Sequence, residues 1–460
     1  MKPYAKARDL LQKGIAAYMK GRFSVAAKKT EAARKLFEGE NALQDLANCE
    51  NFLGNTYKLL GEPELALHAY DRAFALHKRI GDPRGQAADL GNTGAVYQDV
   101  GDLEQAEKYA LLALDIYKEL GKEDSIANQL GNLGNIRLMQ GDLSGALTAY
   151  ERVTRIHQEK GDAIGEATGL ENQATVLRLL GDFSTALDLQ RKALSLVTRV
   201  GDRQGEAECQ GALGLIFQNQ GDLKQALQHY DKALAVRQEI GDPLGEVRDL
   251  INSGNVHRDL GNYDQAIQMD EMALKIADRR SYRRERALLL ADLGLVYQKT
   301  GDLERALLFQ NWGIEGAEAI GDPEVLWRLF GGRGDTYSSL GKLDSAYQDY
   351  LKAVQEVEIV RKGLTSERHR LGYLREERLV DYGRLTLLLV DRQGLYRPVE
   401  SFEWVEQAKA RTFLDLLEGS LTKVSRFSLV LGESTEIKPG DFLAIQSKPL
   451  QFSQVRSLLI

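Results

Sequence analysis

The side chains in this sequence best suited to chemistry are asparagines that return at fixed intervals. Asn128, Asn132 and Asn135 fall on one side of a predicted helix, and Met139 follows on the same side. Asparagine is a weak helix former, so its recurrence within helices indicates that each amide has a partner. An amide offers both donors and an acceptor, which suits the backbone of an extended peptide whatever its side chains. The chemistry predicted here is hydrogen-bonded recognition.

The candidate binding residues combine these asparagines with amide and charged side chains at related positions elsewhere in the chain. They are Asn55, Asn92, Gln98, Asn128, Asn132, Asn135, Asn172, Arg178, Gln218, Arg248, Asn252, Asn255 and Arg258. Two roles are open for them: they bind a ligand peptide, or they pin each helix to its neighbour. One asparagine could serve both roles, in different states of ligation.

The sequence shows no residue pattern typical of a catalytic site or a metal site. The six histidines show no spacing typical of metal ligands, and neither Cys49 nor Cys209 has a histidine near it. No glycine-rich phosphate loop follows a strand. We therefore expect no enzyme activity, no catalytic residues, no metal site and no cofactor.

The composition limits the classes of partner. The 460 residues are 43% hydrophobic and 28% charged, with a formal net charge of −7. This acidic balance makes nucleic acid an unlikely partner. Five arginines nevertheless crowd into residues 279–286. The simplest interpretation is a solvated turn, and the alternative is a contact for an acidic partner or an RNA backbone.

The candidates recur because the sequence repeats every 40 residues, without an insertion or deletion. A glycine marks one turn of each copy: Gly21, Gly61, Gly101, Gly141, Gly181, Gly221, Gly261, Gly301 and Gly341. An alanine follows five residues later in each: Ala26, Ala66, Ala106, Ala146, Ala186, Ala226, Ala266, Ala306 and Ala346. A period of this length indicates stacked repeats, and the invariant alanine indicates that two helices approach closely there.

Each 40-residue unit is predicted to contain two helices of about 17 residues, roughly 25 Å long. In the third unit, Gly101 can end the first helix in the left-handed conformation, and Asp102 can cap the second. Between units, five aspartates stand where they can cap the next first helix: Asp82, Asp162, Asp202, Asp242 and Asp322.

The pattern of Leu130, Leu133, Gly134, Ala146 and Tyr150 resembles the tetratricopeptide repeat, and its 40-residue form is similar to repeats of kinesin light chains and Pins-type adaptors. The resemblance implies an all-α fold, a right-handed α-solenoid of about nine helix pairs over residues 1–361. It also implies that the first helices line an inner groove, where asparagines of the resembling families grip peptide backbones. The implied function is a scaffold that binds an extended protein or peptide segment.

Two segments follow the repeats. Residues 362–419 are predicted to form a long helical pair that links or caps the array, and it resembles the segment before CHAT (caspase-like) protease domains, which are mostly bacterial. The matching residues are Tyr382, Leu387, Leu388, Phe402, Glu406, Ala408, Ala410, Arg411, Leu414 and Leu417. Residues 420–460 are predicted to form a short strand, turn and helix tail, which the resemblance places just before the protease domain.

This second resemblance leaves several functions open. The chain could be the recognition arm of a CHAT-type protease system, with such a domain as a partner in the full-length chain. It could instead be the non-catalytic fragment of a CHAT cysteine protease, or a nucleic-acid-responsive regulator that uses the arginine-rich turn. Two cysteines in equivalent positions of distant repeats fit a reducing compartment. No apolar run approaches the length of a membrane span, so we expect a cytoplasmic protein without a membrane partner.

Overall fold

A computed structural model describes residues 3–363 together with positions 383–385, 388, 395 and 397. The predicted helical pair at 362–419 falls outside the described residues except at those positions and the end of the last helix. The predicted tail at 420–460 lies outside them entirely.

The described part of the repeats consists of paired helices, two in each 40-residue unit. They are α1 (Pro3–Tyr18), α2 (Phe23–Gly39), α3 (Leu43–Leu59), α4 (Pro63–Ile80), α5 (Pro83–Asp99), α6 (Leu103–Glu119), α7 (Glu123–Met139), α8 (Leu143–Lys160), α9 (Ala163–Leu180), α10 (Phe183–Val200), α11 (Arg203–Gln220), α12 (Leu223–Ile240), α13 (Pro243–Asp259), α14 (Tyr263–Arg280), α15 (Arg283–Thr300), α16 (Leu303–Ile320), α17 (Pro323–Ser339) and α18 (Leu343–Gly363). Odd-numbered helices are the first helices of the nine units, and even-numbered helices are the second.

The helix ends form as their local sequence predicts. Gly101 has a φ of 81°, which a residue with a side chain rarely adopts, and the Asp102 carboxylate accepts a hydrogen bond from the Gln105 backbone N–H at 3.1 Å. The five aspartates between units also accept from backbone N–H groups of the helix that follows. Ser281 replaces the usual glycine between units seven and eight, and it too has a positive φ, 58°.

The invariant alanines lie where the two helices of each unit meet. All nine are fully buried. In unit three, a Cβ added to Gly94 would lie 3.1 Å from the carbonyl oxygen of Ala106, so the two backbones are nearly in contact. This geometry confirms the close approach that the alanine pattern predicts.

The core is continuous from unit to unit. One buried cluster contains Ala174 of unit five, Leu213 and Tyr230 of unit six, and Val256 of unit seven. First helices of consecutive units also contact each other, as α9 and α11 do. Each unit therefore completes the core of the next, as in a solenoid. The predicted α-solenoid is confirmed, and the described chain holds no strand.

Candidate functional site

The predicted binding residues share one side of the first helices, which we call the first-helix face. Numbering positions 1 to 40 within each unit, this face comprises positions 8, 12, 15 and 19, which are Asn128, Asn132, Asn135 and Met139 in unit four. Position 18 lies beside it. The side chains at these positions differ in whether the protein itself satisfies their hydrogen bonds.

Two of the three candidate asparagines at position 15, Asn55 and Asn135, bond to the second helix of their own unit. The Tyr150 hydroxyl donates a hydrogen bond to Asn135 Oδ1 at 2.7 Å. The Tyr70 hydroxyl donates in the same way to Asn55 Oδ1, at 2.8 Å. Tyr150 is almost fully buried, and this burial raises the pKa of its hydroxyl to about 12. These asparagines therefore hold the two helices of a unit together.

The tyrosine is accommodated by a glycine at position 14. A Cβ added to Gly134 would lie 2.5 Å from Tyr150 Cε1. In unit six, position 15 is Leu215, and the Tyr230 hydroxyl donates instead to Gln218 Oε1 at 2.9 Å. Gln218 thus replaces the asparagine as the acceptor of this buried hydroxyl.

Other candidates connect one first helix to the next. The Arg178 guanidinium donates to Asn219 Oδ1 at 2.8 Å, which joins α9 to α11. The Arg258 guanidinium donates to Asp292 Oδ1 at 3.0 Å, which joins α13 to α15. The Gln98 amide lies 3.5 Å from the Met139 sulfur. These three candidates link consecutive units.

The remaining candidates make no side-chain hydrogen bond to any residue of the described chain. Four of them stand at position 12 in units three, four, five and seven, and we call them the asparagine row: Asn92, Asn132, Asn172 and Asn252. All four are half-buried. Asn255 is half-buried as well, whereas Asn128 and Arg248 are exposed. The row thus presents unused amide donors and acceptors at the same place in four units.

The repeat units match a known family model. The tetratricopeptide repeat model matches residues 45–119, 85–159, 165–239 and 249–319, and a second tetratricopeptide repeat model matches residues 328–356. The first model alone spans more than half of the chain. The chain belongs to the tetratricopeptide repeat family. A search of curated proteins found no match.

Two solved structures with TM-scores of 0.50 share the fold, and a third is similar in sequence. The apo form of the quorum sensor NprR from B. thuringiensis is 14% identical, with a TM-score of 0.50, over 76% of this chain and 97% of that one. A STAND protein with a tetratricopeptide repeat sensor from Pyrococcus horikoshii is 17% identical, with a TM-score of 0.50, over 75% of this chain and 54% of that one. BtubC from P. vanneervenii is 23% identical, with a TM-score of 0.43, over 48% and 92% of the two chains.

Two buried contacts between a basic and an acidic side chain of neighbouring units were missed from the sequence of this tetratricopeptide repeat protein. The Arg237 guanidinium donates to Asp249 at 2.7 Å, across units six and seven. His77 Nδ1 lies 2.6 Å from Asp89 Oδ2, across units two and three. Both pairs use position 37 of one unit and position 9 of the next. This shared spacing is visible in the sequence and could have predicted both contacts.

A buried carboxyl beneath the first-helix face was also missed. Asp270 of unit seven occupies the position of the buried tyrosines and is only 2% exposed. Burial, and then the charge of nearby Asp292, raise the pKa of Asp270 to about 8, against a smaller opposing effect of Arg258. Burial thus favours the protonated form of Asp270.

The arginine-rich turn is partly neutralised by its neighbours. Arg284 Nε lies 2.8 Å from Asp322 Oδ2, and Arg286 Nε lies 2.8 Å from Asp278 Oδ1. The arginines of both pairs are exposed, so these pairs contribute little to stability. This geometry fits the simpler interpretation of a solvated turn.

The described residues hold no cluster of three side chains suited to a metal ion. Both cysteines are buried and unpaired. Burial raises the pKa of the Cys49 thiol to about 12 and also raises that of Cys209, which suppresses the reactive thiolate. No helix of the described chain has the length and apolar character needed to cross a membrane.

Proposed function

We propose that this tetratricopeptide repeat protein is a scaffold that binds an extended protein or peptide segment along its first-helix face. The observation that carries the proposal is the asparagine row, whose half-buried amides in units three, four, five and seven bond to no other described residue. A peptide backbone presents N–H and C=O groups at regular intervals, so it can satisfy such amides without a particular side-chain sequence.

The bonded candidates support the proposal by holding the face in place. Tyr150 fixes Asn135 within unit four, and Arg178 links units five and six. A face that is ordered before the ligand arrives costs less conformational entropy on binding. We assign the two roles left open by the sequence to different residues: peptide binding to the asparagine row, and pinning to the hydrogen-bonded side chains at positions 15 and 18.

The test needs a peptide selected from a random library against the full chain. Asn132→Ala and Asn252→Ala should each weaken its binding about 2- to 13-fold, since each removes a hydrogen bond worth about 0.5–1.5 kcal/mol. The melting temperature of the free protein should hardly change. Without a peptide, the amide of Asn132 or Asn252 can bond to water, so its removal costs no hydrogen bond within the protein. Calorimetry measures the affinity and circular dichroism the melting temperature.

Asn135→Ala is the matched contrast within the same helix. It leaves the buried Tyr150 hydroxyl without its acceptor, so we expect it to destabilise the protein by about 1–3 kcal/mol. If Asn132→Ala lowered the melting temperature as much and left the affinity unchanged, the asparagine row would be structural and the proposal would fail.

A finer proposal concerns the cellular context. The motif at residues 382–417 supports a role as the recognition arm, or the non-catalytic part, of a CHAT-type protease system. Sequencing the gene beyond codon 460 tests this directly, because a protease domain would show the family's histidine and cysteine motifs. The two unpaired cysteines support a reducing compartment such as the cytoplasm.

A further inference from the structure

Buried carboxyl groups in the described chain have basic partners, with one exception. Six acidic side chains of that part of the chain are at most 9% exposed: Glu50, Asp89, Glu166, Asp249, Asp270 and Asp349. Five of them place a carboxyl oxygen 2.6–2.8 Å from a nitrogen of a basic side chain. Asp270 has no such partner, and its side chain forms no hydrogen bond within the described chain. If it were ionised, Asp270 would lack the counter-charge that a buried carboxylate needs.

Asp270 points at the first helix of its own unit. It stands at position 30, from which Tyr150 of unit four reaches position 15 of the first-helix face. A Cβ added to Gly254 would lie 2.7 Å from Asp270 Oδ1, and one added to Gly134 would lie 2.5 Å from the ring of unit four. The shorter aspartate thus ends near the place of the ring edge. No hydrogen bond joins it to Asn255 at position 15, so both side chains keep unused hydrogen-bonding groups beneath the first-helix face.

The charged groups around Asp270 do not supply its counter-charge. Its helix α14 packs against α13 and α15, and the charged side chains that act on it from these helices are Arg258 and Asp292. The Arg258 guanidinium donates to Asp292 at 3.0 Å, so this cation already has a carboxylate partner. In the free protein, a proton neutralises Asp270 instead, because burial raises the pKa of its carboxyl.

Asp335 of unit nine shows how a carboxyl of the first-helix face takes a cation from outside the repeats. It stands at position 15, is half-buried, and accepts a hydrogen bond from the Tyr350 hydroxyl at 2.9 Å. Its second oxygen accepts from the guanidinium of Arg384, a residue that follows the nine units in the chain. A basic side chain from a segment outside the repeats can therefore neutralise a carboxyl on this face.

We propose that Asp270 binds a lysine side chain of the segment held on the first-helix face, at the place where that segment crosses units seven and eight. The ammonium group supplies the missing counter-charge, and its N–H groups donate to Asp270 and to the carbonyl oxygen of the Asn255 amide. The proton of the Asp270 carboxyl leaves to solvent as the ammonium group binds. Lysine suits a buried carboxyl because its charge stands at the end of a flexible four-carbon stem. The inference rests on the proposed function and adds the chemistry of one ligand residue.

Parallel selections test this site before any natural ligand is known. A random peptide library is selected at pH 7 against the full chain, against Asp270→Asn, and against Asp264→Asn, an exposed position on the same helix α14. Peptides selected by the wild type and by Asp264→Asn should share a lysine at one position of their common pattern. Peptides selected by Asp270→Asn should not. A lysine that is equally frequent in all three sets, or absent from all three, would overturn the inference.

Norleucine in place of that lysine keeps the hydrocarbon stem of the side chain and removes its charge. The norleucine peptide should bind the wild type roughly tenfold or more weakly than its parent, because a charge-assisted hydrogen bond is lost. The two peptides should bind Asp270→Asn about equally. Fluorescence anisotropy measures the four affinities. A loss of the same size in both proteins would place the lysine contact away from Asp270 and contradict the inference.

Proton release distinguishes Asp270 from an exposed carboxylate, which is already ionised at pH 7. Calorimetry in two buffers with different heats of ionisation counts the protons released when a lysine peptide without histidine binds. The wild type should release about one proton at pH 7 and Asp270→Asn none. The affinity of the wild type should also rise roughly tenfold or more from pH 6 to pH 8, because the bound state needs the ionised carboxyl. Binding by the wild type without proton release would contradict the inference, whether or not the variant folds.

These outcomes separate the inference from the proposed function. If the selected peptides need Asn132 but show no lysine and release no proton, the scaffold proposal stands and the lysine site is wrong. If lysine binding needs Asp270 but Asn132→Ala changes nothing, the lysine site stands and the asparagine row loses its role in the proposed function. If the library yields no peptide that binds, both are wrong.

Discussion

At the scale of single residues, the same amino acid has two different hydrogen-bonding environments three positions apart. Asn135 accepts a hydrogen bond from a buried tyrosine, whereas Asn132 on the same helix has no hydrogen bond within the described chain. The sequence predicts the same roles for both, because both lie on one helix face. It does not separate them, since the difference depends on Tyr150 in another helix. The recurrence of glycine at position 14 with tyrosine at position 30 was the available signal.

Asp270 gives a prediction about pH. Its pKa is raised from about 3.8 to about 8 in the folded protein. Between these values the folded state holds a proton that the unfolded state has released, so this carboxyl makes stability fall as pH rises from about 4 to about 8. Asp270→Asn removes this contribution. The melting temperature of the variant should therefore fall less between pH 5 and pH 8 than that of the wild type.

The control for this prediction is Asp264→Asn, an exposed position on the same helix α14. It should leave the pH dependence of the melting temperature as it is in the wild type. An Asp270→Asn variant whose melting temperature followed the wild-type pH profile would show that Asp270 is ionised in the folded protein throughout this range.

At the scale of helices, most of the fold could be predicted because its determinants are local. Gly101 and Asp102 set one helix end and the next helix start within a few residues. The buried pair of Arg237 and Asp249 could not be predicted as easily. A charged residue in an amphipathic helix is usually assigned to the exposed side, and its burial depends on an opposite charge in the next unit.

Ala186 tests the close approach of paired helices. Ala186→Phe should overpack the contact between α9 and α10 and destabilise the protein by about 1–3 kcal/mol or more. Since each unit contacts only its neighbours, faster hydrogen exchange should concentrate in units four to six. Ser195→Phe, at an exposed position on the same helix, should have little effect. Exchange that rose evenly over all nine units would contradict the nearest-neighbour account.

At the scale of the molecule, the first-helix face recurs in all nine units, but the residue types on it differ from unit to unit. Position 12 is asparagine in units three, four, five and seven, yet alanine in unit six and aspartate in unit eight. Large exposed apolar side chains stand at position 19 or 20 in units one, two, three, four, five, seven and nine, and the buried Asp270 belongs to unit seven. A ligand that crosses several units would therefore meet different partners in each, which is how a regular fold can acquire specificity.

Photo-cross-linking of a bound peptide to the full chain tests the central claim most directly. The peptide is the one selected from the random library, with a photoreactive residue placed in turn at its start, middle and end. Cross-links identified by mass spectrometry should fall on the first helices α5, α7, α9 and α13, and should move along the units with the photoreactive position. Cross-links confined to the second helices α6, α8, α10 and α14, or fixed in one unit whichever position is labelled, would contradict an extended segment bound along the first-helix face.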